Sequence, residues 1–184
     1  YNHFFKKHFD STIWLGIFDL DEFLYSPNNI NIKNIIKNYE SYDQLEINWV
    51  HFGSSGFKTQ PDNVVQNFIY RGEYNSVENG PQGRYNSFKC IIKTATCISL
   101  NIHRHHSNGN LKNISFDEKN TPLLLNHYAI QSKEYWKNIK MTRGDCDKYY
   151  DSKGWKRDLK LFEEMDVNYI KDIRLSEQNK GLYN

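Results

Sequence analysis

The sequence predicts a mixed α/β fold in a single domain, and three segments support this prediction. "TIWLGIF", which begins at Thr12, is apolar on both faces, as is typical of a central parallel strand. "INIKNIIKNY" then places isoleucine and tyrosine side chains at helical spacing, and "LEINWVHF" alternates between apolar and polar residues, as a strand does. A chain of 184 residues is long enough to bury one core.

The remaining elements are predicted in chain order from the same kinds of pattern. "NHFFKKHF" predicts a short helix before the first strand, and Pro61 with Asp62 begins another helix. "FKCIIKTATCISLNIH" and "PLLLNHY" predict further strands, and Ser132 is a suitable N-cap for "SKEYWKNIKM". Trp155, Leu159 and Phe162 share one face of a last helix. The glycine-rich and polar stretch 73–85 predicts a mobile loop.

Composition excludes several classes of protein. A net charge of +2 is too small to indicate a nucleic-acid partner, and no apolar run reaches membrane-spanning length. Three cysteines without a CxxC spacing argue against a disulfide framework and a zinc ribbon, and favour a cytoplasmic or other reducing compartment. Heavy use of Lys, Asn, Ile and Tyr indicates AT-rich coding, as in a large DNA virus or a protist.

Three carboxylates, those of Asp19, Asp21 and Glu22, follow the first apolar strand within four positions. In an extended segment Asp19 and Asp21 point the same way, at the end of a strand where α/β proteins bind ligands. Their like charges repel unless a divalent cation lies between them, and hard oxygen ligands favour Mg²⁺ or Mn²⁺. The alternative is a solvated or structural acidic loop, because Asp-x-Asp alone is a common motif.

Several spaced segments together resemble glycosyltransferase family 92, the group once called domain of unknown function 23. These are "WLGIFDLDEFL", "INWVHFGSSGF" with "PDNVVQNF", and "LLLNHYAIQSKEYWKNIKMTRG", and the resemblance covers most of the chain, fading after Gly144. The family implies an A-type glycosyltransferase fold, with a mixed sheet flanked by helices. It also implies inverting transfer of a sugar from a nucleotide-sugar donor, such as a UDP-sugar, to a hydroxyl of a glycan or another acceptor.

The resemblance assigns roles to four residues around the donor. Asp19 and Asp21 match the family's Asp-x-Asp and are expected to bind the metal, Mn²⁺ or Mg²⁺, and the nucleotide. His127 in "NHY" matches a histidine that completes the metal shell in many enzymes of this fold. Arg143 in "KMTRG" is suited to hold a diphosphate through paired hydrogen bonds.

Substrate contacts are expected from the second motif. Trp49 either stacks on a sugar or fills the core, and the core is the preferred interpretation. Two glycines allow the loop between them to approach a substrate closely, although a plain tight turn has the same composition. The four predicted loop residues are Gly53, Ser54, Ser55 and Gly56.

Two departures from the family pattern stand out. Phe57 replaces the histidine that usually follows "FGSSG", so an acceptor role at this position is in doubt. Only the first twelve residues precede the Asp-x-Asp strand, whereas the fold places two or three βα units of about 30 residues there. The chain is therefore expected to form the C-terminal portion of the fold, as a fragment or a reduced relative without the amino-terminal nucleotide-binding units. An exposed sheet edge then predicts self-association into a homo-oligomer.

The sequence does not identify the catalytic base. Asp62 is a candidate, but an ordinary N-cap is the preferred interpretation, and Glu73 and Glu78 are others on the predicted loop. The histidines at 103, 105 and 106 are interpreted as part of a solvated loop rather than as metal ligands, because they lack cysteine partners.

Two alternative functions stay open. A phosphohydrolase of the haloacid dehalogenase type also has Asp-x-Asp after an apolar strand, but Phe23 and the poor strand before "RGDCDKYYD" do not fit that class. A non-catalytic, transferase-like module could instead bind glycans, a partner chain or its own copies.

Overall fold

The structure is a computed structural model that describes residues 1–73, 88–114, 121–143 and 157–182. These residues form mixed α/β structure, as predicted, and divide into two compact units. The first unit contains Tyr1–Trp49 and Arg84–Asn126, and the second contains Val50–Gly83 and His127–Asn184. The extension of one glycosyltransferase-like domain over residues 1–184, and its being the C-terminal portion of a larger fold, stay predictions.

The described ranges contain these strands: β1 Trp14–Gly16, β2 Glu22–Tyr25, β3 Gln44–His51, β4 Tyr70–Arg71, β5 Phe88–Lys93, β6 Cys97–Ser99, β7 His106–Ser107, β8 Leu111–Ile114, β9 Leu124–His127 and β10 Ile170–Lys171. Six of them form one mixed sheet in the order β1-β5-β3-β9-β2, with β8 paired to β3. β1–β5 and β3–β5 are antiparallel pairs, whereas β3–β8 is parallel. Two further pairs, β4–β10 and β6–β7, lie outside this sheet.

The helices are short, and several are capped by the side chain of the residue that precedes the helix. Ser132 caps α4 as predicted, since its Oγ accepts a hydrogen bond from the Tyr135 N–H at 3.0 Å. No described helix combines the length and the apolar character needed to cross a membrane. The α-helices are α1 Asn2–His8, α2 Ile32–Lys37, α3 Val64–Asn67, α4 Lys133–Tyr135 with a π-helical continuation Trp136–Lys140, α5 Leu159–Met165 and α6 Arg174–Gln178.

The prediction of a central parallel strand at "TIWLGIF" was wrong. The observed strand, β1, stands at the end of the sheet order and pairs antiparallel with β5. Its two faces are apolar because each faces a different cluster. Trp14 and Phe18 pack against the main core, and Leu15 and Ile17 pack against a smaller cluster that contains Phe5.

Each unit has apolar clusters of its own. The main core of the first unit has Leu45 and Ile47 of β3 at its centre, and both side chains are buried. Its other buried members are Ile35, Ile91, Ile114, Leu123 and Leu125. A cluster in the second unit packs Trp136 against Phe162, with ring centroids 5.8 Å apart. Trp155, which was predicted to share the face of Phe162, lies outside the described residues.

A buried ion pair holds β4 and the C-terminal segment of the second unit together. Arg71 Nε donates to Asp172 Oδ2 at 2.8 Å, and both side chains are almost fully buried. Arg174 Nε donates to the other oxygen, Asp172 Oδ1, at 2.9 Å. Burial alone raises the pKa of Asp172, but hydrogen bonds from Arg174 and Arg71 outweigh it and lower the pKa to about 2.

This shift predicts how stability depends on pH. Because the pKa of Asp172 is about 2 in the folded chain, below the 3.8 of an ordinary aspartate, its contribution to stability is complete above pH 3.8 and lost as pH falls through 2. We expect the pair to contribute about 2 kcal/mol of unfolding free energy between these limits. Urea unfolding of the wild type and Asp172→Asn at pH 6, 4 and 3 measures it. A stability difference that stays constant down to pH 3 would contradict the prediction.

Candidate active site

The acidic cluster lies in a tight turn between β1 and β2. The Glu22 N–H donates to the Asp19 carbonyl oxygen at 3.0 Å, and the Asp19 N–H donates to Glu22 Oε2 at 2.9 Å. Leu20 is fully exposed at the tip of this turn. The expectation that this segment is extended, with its side chains alternating, was therefore wrong, because reciprocal hydrogen bonds close it into a turn.

A buried lysine provides the positive charge for this turn. Lys89 Nζ donates to Asp19 Oδ2 at 3.0 Å and lies 3.5 Å from Glu22 Oε2. The side chains of Lys89 and Glu22 are fully buried, whereas that of Asp19 is 43% exposed. Sequence reasoning missed Lys89, although a lysine inside the apolar run "FKCIIK" is an unusual residue for a core strand.

The environment of Glu22 reduces the negative charge of the turn. Burial raises its pKa to about 7, against the lowering effects of the Asp19 N–H and of Lys89. The nearby charges of Asp19 and Asp21 add to the rise. Its second oxygen, Oε1, is buried and has no hydrogen-bond partner among the described residues. Asp19 and Asp21 are thus the more accessible carboxylates of the turn.

The predicted substrate loop is bound tightly to the C-terminal segment of its own unit. Ser54 donates through its N–H to Asp166 Oδ1 at 2.5 Å and through its hydroxyl to Asp166 Oδ2 at 2.8 Å. The Ser55 N–H donates to Asn168 Oδ1 at 2.7 Å. The Ser55 hydroxyl accepts from the N–H groups of Ile69 and Tyr70, at 2.9 and 3.1 Å. These hydrogen bonds give both serines a structural role in the folded loop. Substrate binding by the two serines stays a prediction.

Glycine is favoured at the two ends of this loop for different structural reasons. A Cβ at Gly53 would clash with the carbonyl oxygen of Val167 and come within 2.5 Å of Asn168 Oδ1. Gly56 has open space around it but a φ of +80°, which favours glycine. The close approach that the sequence predicts at Gly53 is therefore made by the protein's own backbone.

His127, the predicted third metal ligand, lies at the end of β9 and is buried. Its ring centroid lies 5.4 Å from that of His51, a residue that the sequence analysis did not select. Burial lowers the pKa of His51 to about 4, so its imidazole is neutral at physiological pH. Within the described part of the chain, no three His, Cys, Asp or Glu side chains group closely enough to hold a metal ion. Metal binding by His127 stays a prediction.

Other predicted site residues are accessible or belong to the core. Trp49 is partly buried, packs against the main core and lies edge-on to His103, with ring centroids 5.5 Å apart. Arg143 is exposed just after the π-helical turn. Asp62 is also exposed, but it does not cap α3, because Asn63 Oδ1 accepts the hydrogen bond from the Gln66 N–H.

Two further candidates for the base were predicted. Glu73 is exposed, and Glu78 lies outside the described residues. No observation assigns the base among Asp62, Glu73 and Glu78, so each stays a prediction.

The histidine-rich segment is only partly a solvated loop. His105 is buried; its Nδ1 accepts from the Asn101 N–H at 3.2 Å, so Nε2 carries the proton towards the Cys90 carbonyl oxygen at 3.3 Å. His103 and His106 are exposed. Nearby, buried Glu46 accepts from Arg104 Nε at 2.5 Å. The interpretation that these histidines bind no metal stays a prediction.

Comparison with known proteins identifies the family. The model of glycosyltransferase family 92 matches residues 3–174. A glycosyltransferase family 92 protein of Ricinus communis is 26% identical over 129 residues, which are 67% of this chain and 22% of that protein. The chain therefore spans less than a quarter of this relative's length. The family match confirms the resemblance seen in the motifs and disfavours the phosphohydrolase alternative. The chain belongs to glycosyltransferase family 92.

Proposed function

We propose that this chain is part of a metal-dependent glycosyltransferase that moves a sugar from a nucleotide-sugar donor to an acceptor hydroxyl, with inversion. Family membership supports the transferase reaction, and the carboxylate turn at Asp19 to Glu22 is the observation that carries the site. Asp19 has one oxygen, Oδ2, on Lys89, and its other oxygen makes no hydrogen bond within the described residues. Asp21 adds a second carboxylate two residues later.

The donor chemistry of this turn fits a divalent cation. Carboxylate oxygens are the ligands that Mg²⁺ and Mn²⁺ prefer, and such ions keep several waters, which phosphate oxygens can replace. Asp19 and Asp21 would hold the ion, and the ion, when bound, supplies positive charge to the diphosphate leaving group. In this proposal the turn fixes the two carboxylates before the donor arrives, which reduces the ordering cost of binding.

Binding of uridine diphosphate tests the proposal with the chain as it is. We expect calorimetric titration to show affinity in the presence of Mn²⁺, and Asp21→Ala to weaken it by about tenfold or more, since a ligand to the ion is lost. Omission of the metal should have a similar effect. Asp10→Ala is the matched control, because Asp10 is an exposed aspartate of the same unit.

The outcomes separate the proposal from the alternative module. Binding that is independent of both metal and Asp21 would contradict a metal-mediated donor site. If uridine diphosphate does not bind under any condition, the chain alone does not hold a donor. The non-catalytic module then becomes the better explanation for this chain.

A further inference from the structure

We propose that Lys89 is a positioning residue of the carboxylate turn: its ammonium fixes Asp19 and weakens metal binding until a diphosphate arrives. This inference rests on the proposed function, since it concerns the cation that Asp19 and Asp21 would hold. The buried ammonium of Lys89 is a fixed positive charge that opposes metal binding in the protein without donor. The same charge adds to the attraction for the donor.

The contacts of Lys89 show that it serves this turn. Its Nζ lies 3.0 Å from Asp19 Oδ2 and 3.5 Å from Glu22 Oε2. The side chain is fully buried in β5, and taking an ammonium out of water is costly unless carboxylates pair with it. One oxygen of Asp19 is thereby held in place, so that the carboxylate cannot turn freely to offer both oxygens to a metal.

A second lysine of the same strand shows the contrast. Lys93 lies four residues further along β5, and its side chain is 23% exposed. Its Nζ is 3.9 Å from Asp43 Oδ1. Its Nζ also lies 5.4 Å from the centre of the Trp14 ring. Lys93 is thus a partly solvated lysine with a loose ion pair, and its Nζ also donates a hydrogen bond to the Glu40 carbonyl oxygen. Lys89, by contrast, is dehydrated and held on the acidic turn.

Electrostatics gives the expected direction of the effect. An ammonium within hydrogen-bond distance of Asp19 repels a divalent cation that shares this carboxylate, and burial weakens the screening by water. A nucleoside diphosphate brings negative charge that attracts both the metal ion and the Lys89 ammonium. Its binding should therefore relieve the repulsion between these two cations. Affinity for the metal should therefore rise when nucleotide is present, and by linkage the metal should raise the affinity for nucleotide equally.

The test measures Mn²⁺ affinity directly, from the electron paramagnetic resonance signal of the free ion, with and without uridine diphosphate. Lys89→Met removes the charge, and Lys89→Gln removes the charge but keeps a hydrogen-bond donor for Asp19. Each should bind Mn²⁺ about tenfold more tightly than the wild type when nucleotide is absent. Each should also show a smaller gain in Mn²⁺ affinity when nucleotide is added. Lys93→Met, the matched control, should bind as the wild type does.

The outcomes separate this inference from the proposed site. If the wild type binds Mn²⁺ in an Asp21-dependent way, but both Lys89 variants bind equally or more weakly, the role of Lys89 is refuted and the metal site stands. If Asp21→Ala does not change Mn²⁺ binding, or if neither the wild type nor the Lys89 variants bind, both proposals are refuted. Circular dichroism confirms that each variant is folded, and either Lys89 variant suffices for the comparison.

Discussion

Asp172→Ala is expected to destabilise the protein by about 3–5 kcal/mol, because it leaves the guanidinium of Arg71 buried without its carboxylate. Arg71 is 2% exposed, so water cannot replace the lost partner without local opening of β4. Arg174 is partly exposed and can turn to solvent, so its loss of a partner should cost little. Urea unfolding at neutral pH measures the change in free energy.

A surface ion pair of the same unit provides the control for this experiment. Glu163 Oε1 lies 3.6 Å from Lys133 Nζ, and the Glu163 side chain is 68% exposed. Glu163→Ala should change stability by less than about 1 kcal/mol, since solvent screens such pairs. Equal losses of unfolding free energy for Glu163→Ala and Asp172→Ala would show that burial does not increase the contribution of the Arg71–Asp172 pair to stability.

Gly53→Ala is expected to destabilise the second unit by about 3 kcal/mol, since its Cβ has no room. The nearest atoms to that Cβ belong to the backbone of Val167 and to Asn168, whose side chain is held by Asp166. A rotamer change cannot relieve the contact with Val167, because a carbonyl oxygen moves only with the backbone. Thermal and urea unfolding of the variant measure the loss.

Gly56→Ala is the matched control in the same loop. No atom lies within 4 Å of a Cβ at this position, so only its φ of +80° opposes the change. We expect a cost of about 1 kcal/mol, the usual penalty for alanine in a left-handed conformation. A larger loss at Gly56 than at Gly53 would contradict the packing argument for the loop.

Local patterns predicted the parts of the fold that depend on neighbours in sequence. The helix at Ile32–Lys37 follows from its apolar spacing, and the start of α4 follows from Ser132, which caps it. β3 was found from its alternation, but its polar face is not solvated: Glu46 is buried and paired with Arg104. Alternation fixes which side chains share a face, but not what covers that face.

Contacts between distant segments could not be predicted from one sequence. Lys89 is 70 residues from Asp19, so the acidic cluster gave no sign of which residue would neutralise it. Likewise, nothing near "FGSSG" in the sequence indicates Asp166 and Asn168, which hold the loop. The Asp-x-Asp motif was found, but the prediction that it is extended was wrong. The hydrogen bond from the Asp19 N–H to the Glu22 side chain, which closes the turn, depends on the buried position of Glu22.

The anchoring of the glycine-serine loop has a consequence during synthesis on the ribosome. Ser54 and Asp166 are 112 positions apart, and Arg71 and Asp172 are 101 apart. The loop cannot form its hydrogen bonds to Asp166 and Asn168 until the ribosome has translated past residue 168, and residues of such separation assemble slowly. At about 5–20 residues per second, the nascent loop waits many seconds for its partners. Nascent chains that end before Asp166 should therefore carry this motif unfolded and accessible to chaperones and proteases.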